Sequence, residues 1–180
     1  MRSPPDIELK LRDIELFGLE PEDVADQYVS WLNDPLVNRY LESRFVVHTL
    51  ESTRQFVRSV IDSDDSILFG IRYLPTRRHV GNIKLGPIDR HHRRAELGLL
   101  IGERALWGRG IAAAAIELAT RYAFDVLGLL KVTAGCYVSN IGSRRAFEKA
   151  GFVVEAVRKR HFLLDGQLED GVLLARWAEV

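Results

Sequence analysis

The sequence predicts a mixed α/β domain of the α+β kind, a mostly antiparallel sheet of about six to seven strands flanked by about four helices. Three observations carry this expectation. Between Ile67 and Ile101 three apolar stretches follow one another with short polar links, which suggests an antiparallel meander. Between Ala95 and Val138 a strand, a long apolar helix and a second strand succeed one another, which suggests a right-handed βαβ unit. Towards the C-terminus two further strand-like stretches flank Asp165-Gly166, a hairpin-prone pair.

Taken in order, Ile7 to Leu16 (IELKLRDIEL) alternates apolar and charged residues, as an edge or half-buried strand does. Pro21-Glu22-Asp23 opens a helix with Val24, Tyr28, Trp31 and Leu32 on one face, and Asn33-Asp34-Pro35 stops it, because proline cannot continue a helix. Leu36 to His48 is irregular, aromatic and polar. Thr49 starts a second helix, with Phe56, Val57, Val60 and Ile61 as its apolar face. Ile67 to Tyr73 and His79 to Leu85 are strands, and Gly86-Pro87 together with Asp89 to Arg94 forms the connection to the strand Ala95 to Ile101. A helix runs from about Ile111 to Val126, with Gly128 as its stop. Lys131 to Val138 is a strand, Ile141 to Lys149 a helix closed by Gly151, and Phe152 to Arg158 and Val172 to Trp177 the last strands.

At 180 residues the chain is most simply one domain, 1–180, long enough for a sizeable core. Lys+Arg and Asp+Glu are 25 each, so no global basic bias recruits nucleic acid or an anionic membrane. One cysteine, Cys136, excludes an internal disulfide and a cysteine-rich metal site. It sits mid-strand among small apolar residues, as a packing residue does. There is no apolar leader and no run long enough to span a bilayer, so a cytoplasmic location is expected. The run Arg90-His91-His92-Arg93-Arg94 lacks the further ligands of a metal site and reads as a solvated turn; facing a pocket, it would favour an anionic ligand.

The chemistry concentrates in Glu96 to Ile116 (ELGLLIGERALWGRGIAAAAI). A buried strand leads to Trp107-Gly108-Arg109-Gly110-Ile111-Ala112 and then to a helix. Two glycines before a small residue let backbone N–H groups converge, and the unpaired N–H groups and positive dipole end of the helix make an anion site there. Gly108-x-Gly110-x-x-Ala113 also matches the dinucleotide fingerprint. Against that reading, a linker (Gly102 to Trp107) separates strand from glycines, and the next strand ends in Val138-Ser139-Asn140 with no acid. A glycine turn that merely starts a helix is the plainer alternative.

WGRGIA followed by a long apolar helix resembles the acetyl-CoA pyrophosphate loop of the GCN5-related N-acetyltransferase (GNAT) superfamily. Trp107, where that pattern usually has Gln or Arg, is typical of its RimJ/RimL-like branch. WLNDPLVNRYLE (Trp31 to Glu42), HVGNIKLG (His79 to Gly86), AELGLLIG (Ala95 to Gly102), NIGSRRAFEKAGF (Asn140 to Phe152) and EAVRKRHFLLDGQLEDGVLLA (Glu155 to Ala175) resemble further segments of the branch, in the same order. The likeness covers nearly the whole chain. It implies the GNAT acyl-CoA N-acyltransferase fold and acetyl transfer to a primary amine by direct attack in a ternary complex, with acetyl-CoA as cosubstrate and no metal.

The resemblance also implies roles. Leu99, Leu100 and Ile101 would pair with the pantetheine arm through backbone, as in β-augmentation. Trp107, Gly108, Arg109, Gly110, Ile111 and Ala112 would hold the pyrophosphate, with Arg104 or Arg109 adding charge. Asn140 would contact pantetheine or its water network, or cap the next helix, or both. A neutral amine costs roughly 4–5 kcal/mol at pH 7, so a base is useful, and Glu96 is the candidate. An N–H near Leu99 would face the tetrahedral oxyanion. Many members use a tyrosine on the helix after Asn140 as acid. Here that position is Phe147, so Ser143 is the preferred proton donor and cofactor contact, with Tyr137 as substitute. Arg39, Tyr40, Glu42, Arg44 and His48 would line the acceptor pocket. The expected acceptor is a small-molecule amine such as an amino sugar. The runner-up is a protein or peptide N-terminus, and a non-catalytic acyl-CoA-binding module is a third reading. A homodimer through the C-terminal strands is left open.

Overall fold

Alternating apolar positions become strands whose two faces each carry a separate core. The computed structural model describes residues 9–179. Its strands are β1 (Lys10–Leu11), β2 (Ile14–Gly18), β3 (Ile67–Tyr73), β4 (Arg78–Asp89), β5 (Arg94–Ile101), β6 (Lys131–Tyr137), β7 (Val153–Leu164) and β8 (Gln167–Trp177). They form one sheet in the order β1-β2-β3-β4-β5-β6-β8-β7, antiparallel throughout except for β5 beside β6. The helices are α1 (Asp26–Asn33), α2 (Leu50–Ile61), α3 (Ile111–Arg121) and α4 (Ile141–Lys149).

Successive residues of a strand point to opposite faces. Phe69, Ile71, Ile83, Leu85 and Leu97 therefore meet α3 and α4 in the larger core, together with Ile116, Ala119 and Phe147. Leu68 and Leu100 meet α1 and α2 in the smaller one, with Tyr28, Trp31, Leu32, Val57 and Val60. Small residues bring α3 close to the sheet, and Ala115, Ala119 and Ala123 are fully buried. Thr49 caps α2 by accepting from Ser52 N–H, and Ser52 returns a bond to the Thr49 backbone.

The elements differ from expectation where tertiary pairing decides. The single strand expected over Ile7–Leu16 is a hairpin of β1 and β2, turned at Arg12 with φ 53°, and its first two residues lie outside the described ones. Pro21–Asp23 is a 3-10 turn, and α1 begins only at Asp26. Phe56 is 44% exposed, so the buried face of α2 is Thr53, Val57 and Val60. Gly86-Pro87 is not a connection. β4 runs through it to Asp89 as a bulge, with the register shifting between Leu85 and Ile88. α3 ends at Arg121 and is prolonged by a π turn over Tyr122–Val126. The last strands are longer than expected, and the hairpin turn narrows to Asp165-Gly166, both at positive φ.

Candidate active site

Two irregularities of the sheet meet at one residue. On the β4 side, Leu85 pairs with Leu97 and Ile88 with Ala95, so Glu96 lies opposite the Gly86-Pro87 bulge. On the β6 side, pairing covers only Arg94–Lys131, Ala95–Val132 and Glu96–Thr133. Beyond Glu96 the two parallel strands part, since β6 continues along β8 while β5 continues along β4. The gap opens into a cleft of about 1020 Å³. Glu96 stands exposed at its apex and has no ion pair among the described residues.

The far end of the cleft is the glycine turn. Gly108 and Gly110 have φ 76° and 81°, left-handed values that glycine adopts without steric cost, and Gly110 is the N-cap of α3. No side chain caps this helix. The N–H groups of Gly108, Gly110, Ile111, Ala112 and Ala113 donate to no acceptor among the described residues, and all five residues line the cleft. Such a cluster is suited to a diphosphate. Arg109 differs, because its N–H reaches Leu106 O at 3.4 Å and it does not line the cleft. Trp107 Nε1 donates to Ile101 O at 2.8 Å, so the indole pins the turn to the end of β5. Leu99, Leu100 and Ile101 line the cleft between the turn and Glu96.

α4 forms the opposite wall of this half. Asn140 Oδ1 accepts from Ser143 N–H at 3.2 Å, capping the helix, and both residues line the cleft. Phe147 is buried against Phe152 and brings no hydroxyl. Burial pushes the Cys136 thiol up, in keeping with a packing residue.

The other half lies on the face of the sheet that carries α1 and α2. Tyr40 and Glu42 reach it from the α1–α2 loop. Tyr137 Oη donates to Glu42 Oε1 at 2.6 Å and accepts from Arg44 Nη2 at 3.0 Å. Burial, and then the Glu42 carboxylate, hold its phenol above the ordinary value. The Tyr137 ring stacks on Phe162 at 4.0 Å, with Tyr40 at 5.5 Å. Arg44 is thus a buttress behind Tyr137 and Glu42 rather than part of the lining. Arg39 pairs with Asp165 at 2.6 Å and also stands outside the lining, as does His48, which bonds Ser43 O. Arg104 lies beside Asp34 at 3.6 Å, away from the cleft. Arg90 to Arg94 sit at the β4–β5 turn, where Arg93 bonds Gly128 O and Arg94 bonds Asp89, and only the start of β5 connects them to the site.

Sequence reasoning passed over Arg145, Lys149, Arg158, His161 and Phe162, which also line the cleft. They come from later elements whose approach no local pattern announces. Among the described residues no group of three or more His, Cys, Asp or Glu side chains is placed to hold a metal ion, and no helix is long and apolar enough to cross a membrane.

Comparison with known proteins agrees with this geometry. Residues 13–153 match the model of the acetyltransferase (GNAT) domain. Over 132 residues the chain is 32% identical to "Probable N-acetyltransferase YjcK" of Bacillus subtilis (strain 168), covering 71% of this chain and 72% of that protein. Over 92 residues it is 33% identical to the spermidine N(1)-acetyltransferase of Escherichia coli (strain K12), covering 51% of this chain and 49% of that protein. Among solved structures, spermidine N-acetyltransferase from Vibrio cholerae in complex with CoA and spermine superimposes with a TM-score of 0.82 at 22% identity, covering 92% and 95% of the two chains.

Proposed function

The chain belongs to the GNAT family of acetyltransferases, and from that premise we propose that it moves an acetyl group from acetyl-CoA to a primary amine of a small, cationic acceptor by direct attack in a ternary complex. One observation carries the reading. The cleft joins five free N–H groups at the head of α3 to a carboxylate, Glu96, at the point where β5 and β6 part.

In this reading Gly108, Gly110, Ile111, Ala112 and Ala113 hold the diphosphate through backbone N–H groups, and the pantetheine arm lies along Leu99 to Ile101. Glu96 takes the proton that the amine must lose, directly or through water. General-base catalysis of this kind contributes about 10²–10⁴-fold. The departing thiolate is a modest base, near ~8.5 by analogy with cysteine, so it needs little help. Ser143 offers the donor that Phe147 cannot, and its Oγ has no hydrogen bond among the described residues.

The acceptor class rests on the carboxylates and rings of the acceptor half. Glu42 and Glu96 are the acids that line the cleft, Tyr40, Tyr137 and Phe162 wall this half with aromatic rings, and its basic groups, Arg158 and His161, are bonded to each other. That combination suits an aliphatic cation. It favours a polyamine over an anionic nucleotide-linked amino sugar, and the E. coli relative's name points the same way. Simple amino sugars remain within the class. A peptide N-terminus is the second reading, supported by the exposed Phe45, Val46 and Val47 on the loop that carries Glu42.

The test is thiol release from acetyl-CoA with spermidine, amino sugars, aminoglycosides and peptides with free N-termini. The expected result is the highest kcat/KM with a polyamine. Glu96→Gln should cut kcat by about 10²-fold or more while acetyl-CoA affinity holds. Turnover confined to peptides would reverse the choice of acceptor. Failure to bind acetyl-CoA would overturn the reading of the cleft.

A further inference from the structure

Arg144, Arg145, Glu148 and Lys149 give α4 two charge stripes. Arg144 Nε donates to Glu148 Oε1 at 2.8 Å, one turn along the helix. Arg145 and Lys149 are also four residues apart, so they too lie one above the other. Both line the cleft, and neither side chain makes a hydrogen bond or ion pair among the described residues. Like charges at this spacing repel, and a Glu148 is at hand that serves Arg144 instead.

The two faces of the cleft carry different charges. Glu42 and Glu96 project from the side that carries α1 and α2, where Arg158 and His161, bonded to each other, also line it. The side built by α3 and α4 contributes the free N–H groups of the glycine turn, Arg145 and Lys149, and no acid to the lining. A diphosphate is satisfied by N–H groups at a helix head. A phosphate monoester carries a further charge of about −1.5 to −2 near pH 7 and is matched by side-chain cations.

We propose that Arg145 and Lys149 form a binding site for a phosphate monoester, the 3′-phosphate on the adenosine ribose of the acyl carrier. That group is carried by the same ribose as the diphosphate, and α4 packs beside α3, whose head is the glycine turn. The inference rests on the acetyl-CoA reading. It adds that the protein tells CoA from its 3′-dephospho form, and that α4 makes the distinction. A phosphate on the acceptor would share the chemistry but would enter from the other face, where Arg158 and His161 would meet it first.

The experiment titrates the full chain with CoA and with 3′-dephospho-CoA by calorimetry at low and moderate salt, without any acceptor. Wild type should bind CoA about tenfold more tightly, and the preference should shrink as salt rises. The double variant Arg145→Gln/Lys149→Gln should bind both carriers alike, at the affinity wild type shows for the dephospho form. Glutamine is a good helix former at these exposed positions, and circular dichroism checks the fold. Arg145→Lys, which keeps the charge, should retain most of the preference. Equal binding of the two carriers by wild type would overturn this site and leave the acetyl-CoA reading standing. So would a double variant that weakens both carriers by the same factor. Binding of neither carrier would overturn both. Inorganic phosphate competing equally against the two carriers would overturn the assignment to the 3′-phosphate.

Discussion

At the scale of single residues, two glycines around the glycine turn are required for different reasons, and alanine separates them. Gly110 has φ 81°, and a Cβ there would meet nothing closer than Arg12 Nη1 at 3.6 Å. Gly110→Ala should therefore cost about 1–2 kcal/mol through backbone conformation alone, seen as a lower Tm and a raised KM for acetyl-CoA. Gly102 has ordinary φ, but its Cβ would lie 1.9 Å from the Trp31 ring. Gly102→Ala should lower Tm through overpacking, by about 1–3 kcal/mol, and disturb α1 rather than the turn. Tyr137→Phe keeps the stack on Phe162 but removes the bonds to Glu42 and Arg44. It should raise the acceptor KM several-fold and leave the acetyl-CoA KM unchanged; a change in the latter alone would sink the assignment of Tyr137 to the acceptor half. Legibility divides along the same line. Gly108 and Gly110 stand out in the sequence because their neighbours in the chain define them, whereas Glu96 is singled out by the family resemblance. The Trp107 bond to Ile101 spans a loop whose shape no periodicity reveals, and Tyr137 meets Glu42 across most of the chain.

At the scale of elements, local pattern located β3, α4 and β6 almost to the residue, because each is framed by its own caps and turns. It misjudged β4, since Gly86-Pro87 reads as a turn in isolation and becomes a bulge only because β5 continues alongside. It also missed the β1–β2 turn, where Arg12 takes a positive φ with no glycine to announce it. The start of β4 carries a further feature. His79 is ringed by Phe17, Tyr28 and Trp31 at 5.6, 5.9 and 5.3 Å, and its Nε2 bonds Gly81 O and Asn82 Oδ1. Burial lowers its pKa below the ordinary value. The unfolded chain therefore takes up the proton first as pH falls. Stability is full above the unfolded value of about 6.5 and is lost as pH drops through the depressed folded value. Tm should decline more steeply below about pH 6.5 than in His79→Phe. Parallel slopes for the two proteins would show that His79 is not the titrating group.

At the scale of the whole molecule, composition indicated little beyond an ordinary globular chain, because a net charge of zero conceals how charge is distributed. Folding distributes it, gathering Glu42 and Glu96 with Arg158 and His161 on one side of the cleft and Arg145 and Lys149, with no acid, on the other. The parting of β5 and β6 has a mechanical side as well. Three residue pairs are all the ladder that joins the leaf β1 to β5 to the leaf β6, β8 and β7. β4, by contrast, is laced along its length to both neighbours. The molecule is a folded page with a short spine, and a carrier laid along β5 would act as the missing stitching. In the empty protein, amides of β6 should exchange with deuterium faster than those of β4, and saturating acetyl-CoA should narrow the difference. Equal protection without ligand would mean that α3 and the cores already bind the leaves. If the difference is seen, the proposed cosubstrate is also what holds this fold shut, and heat or force should tear the protein without it along the line where we place the chemistry.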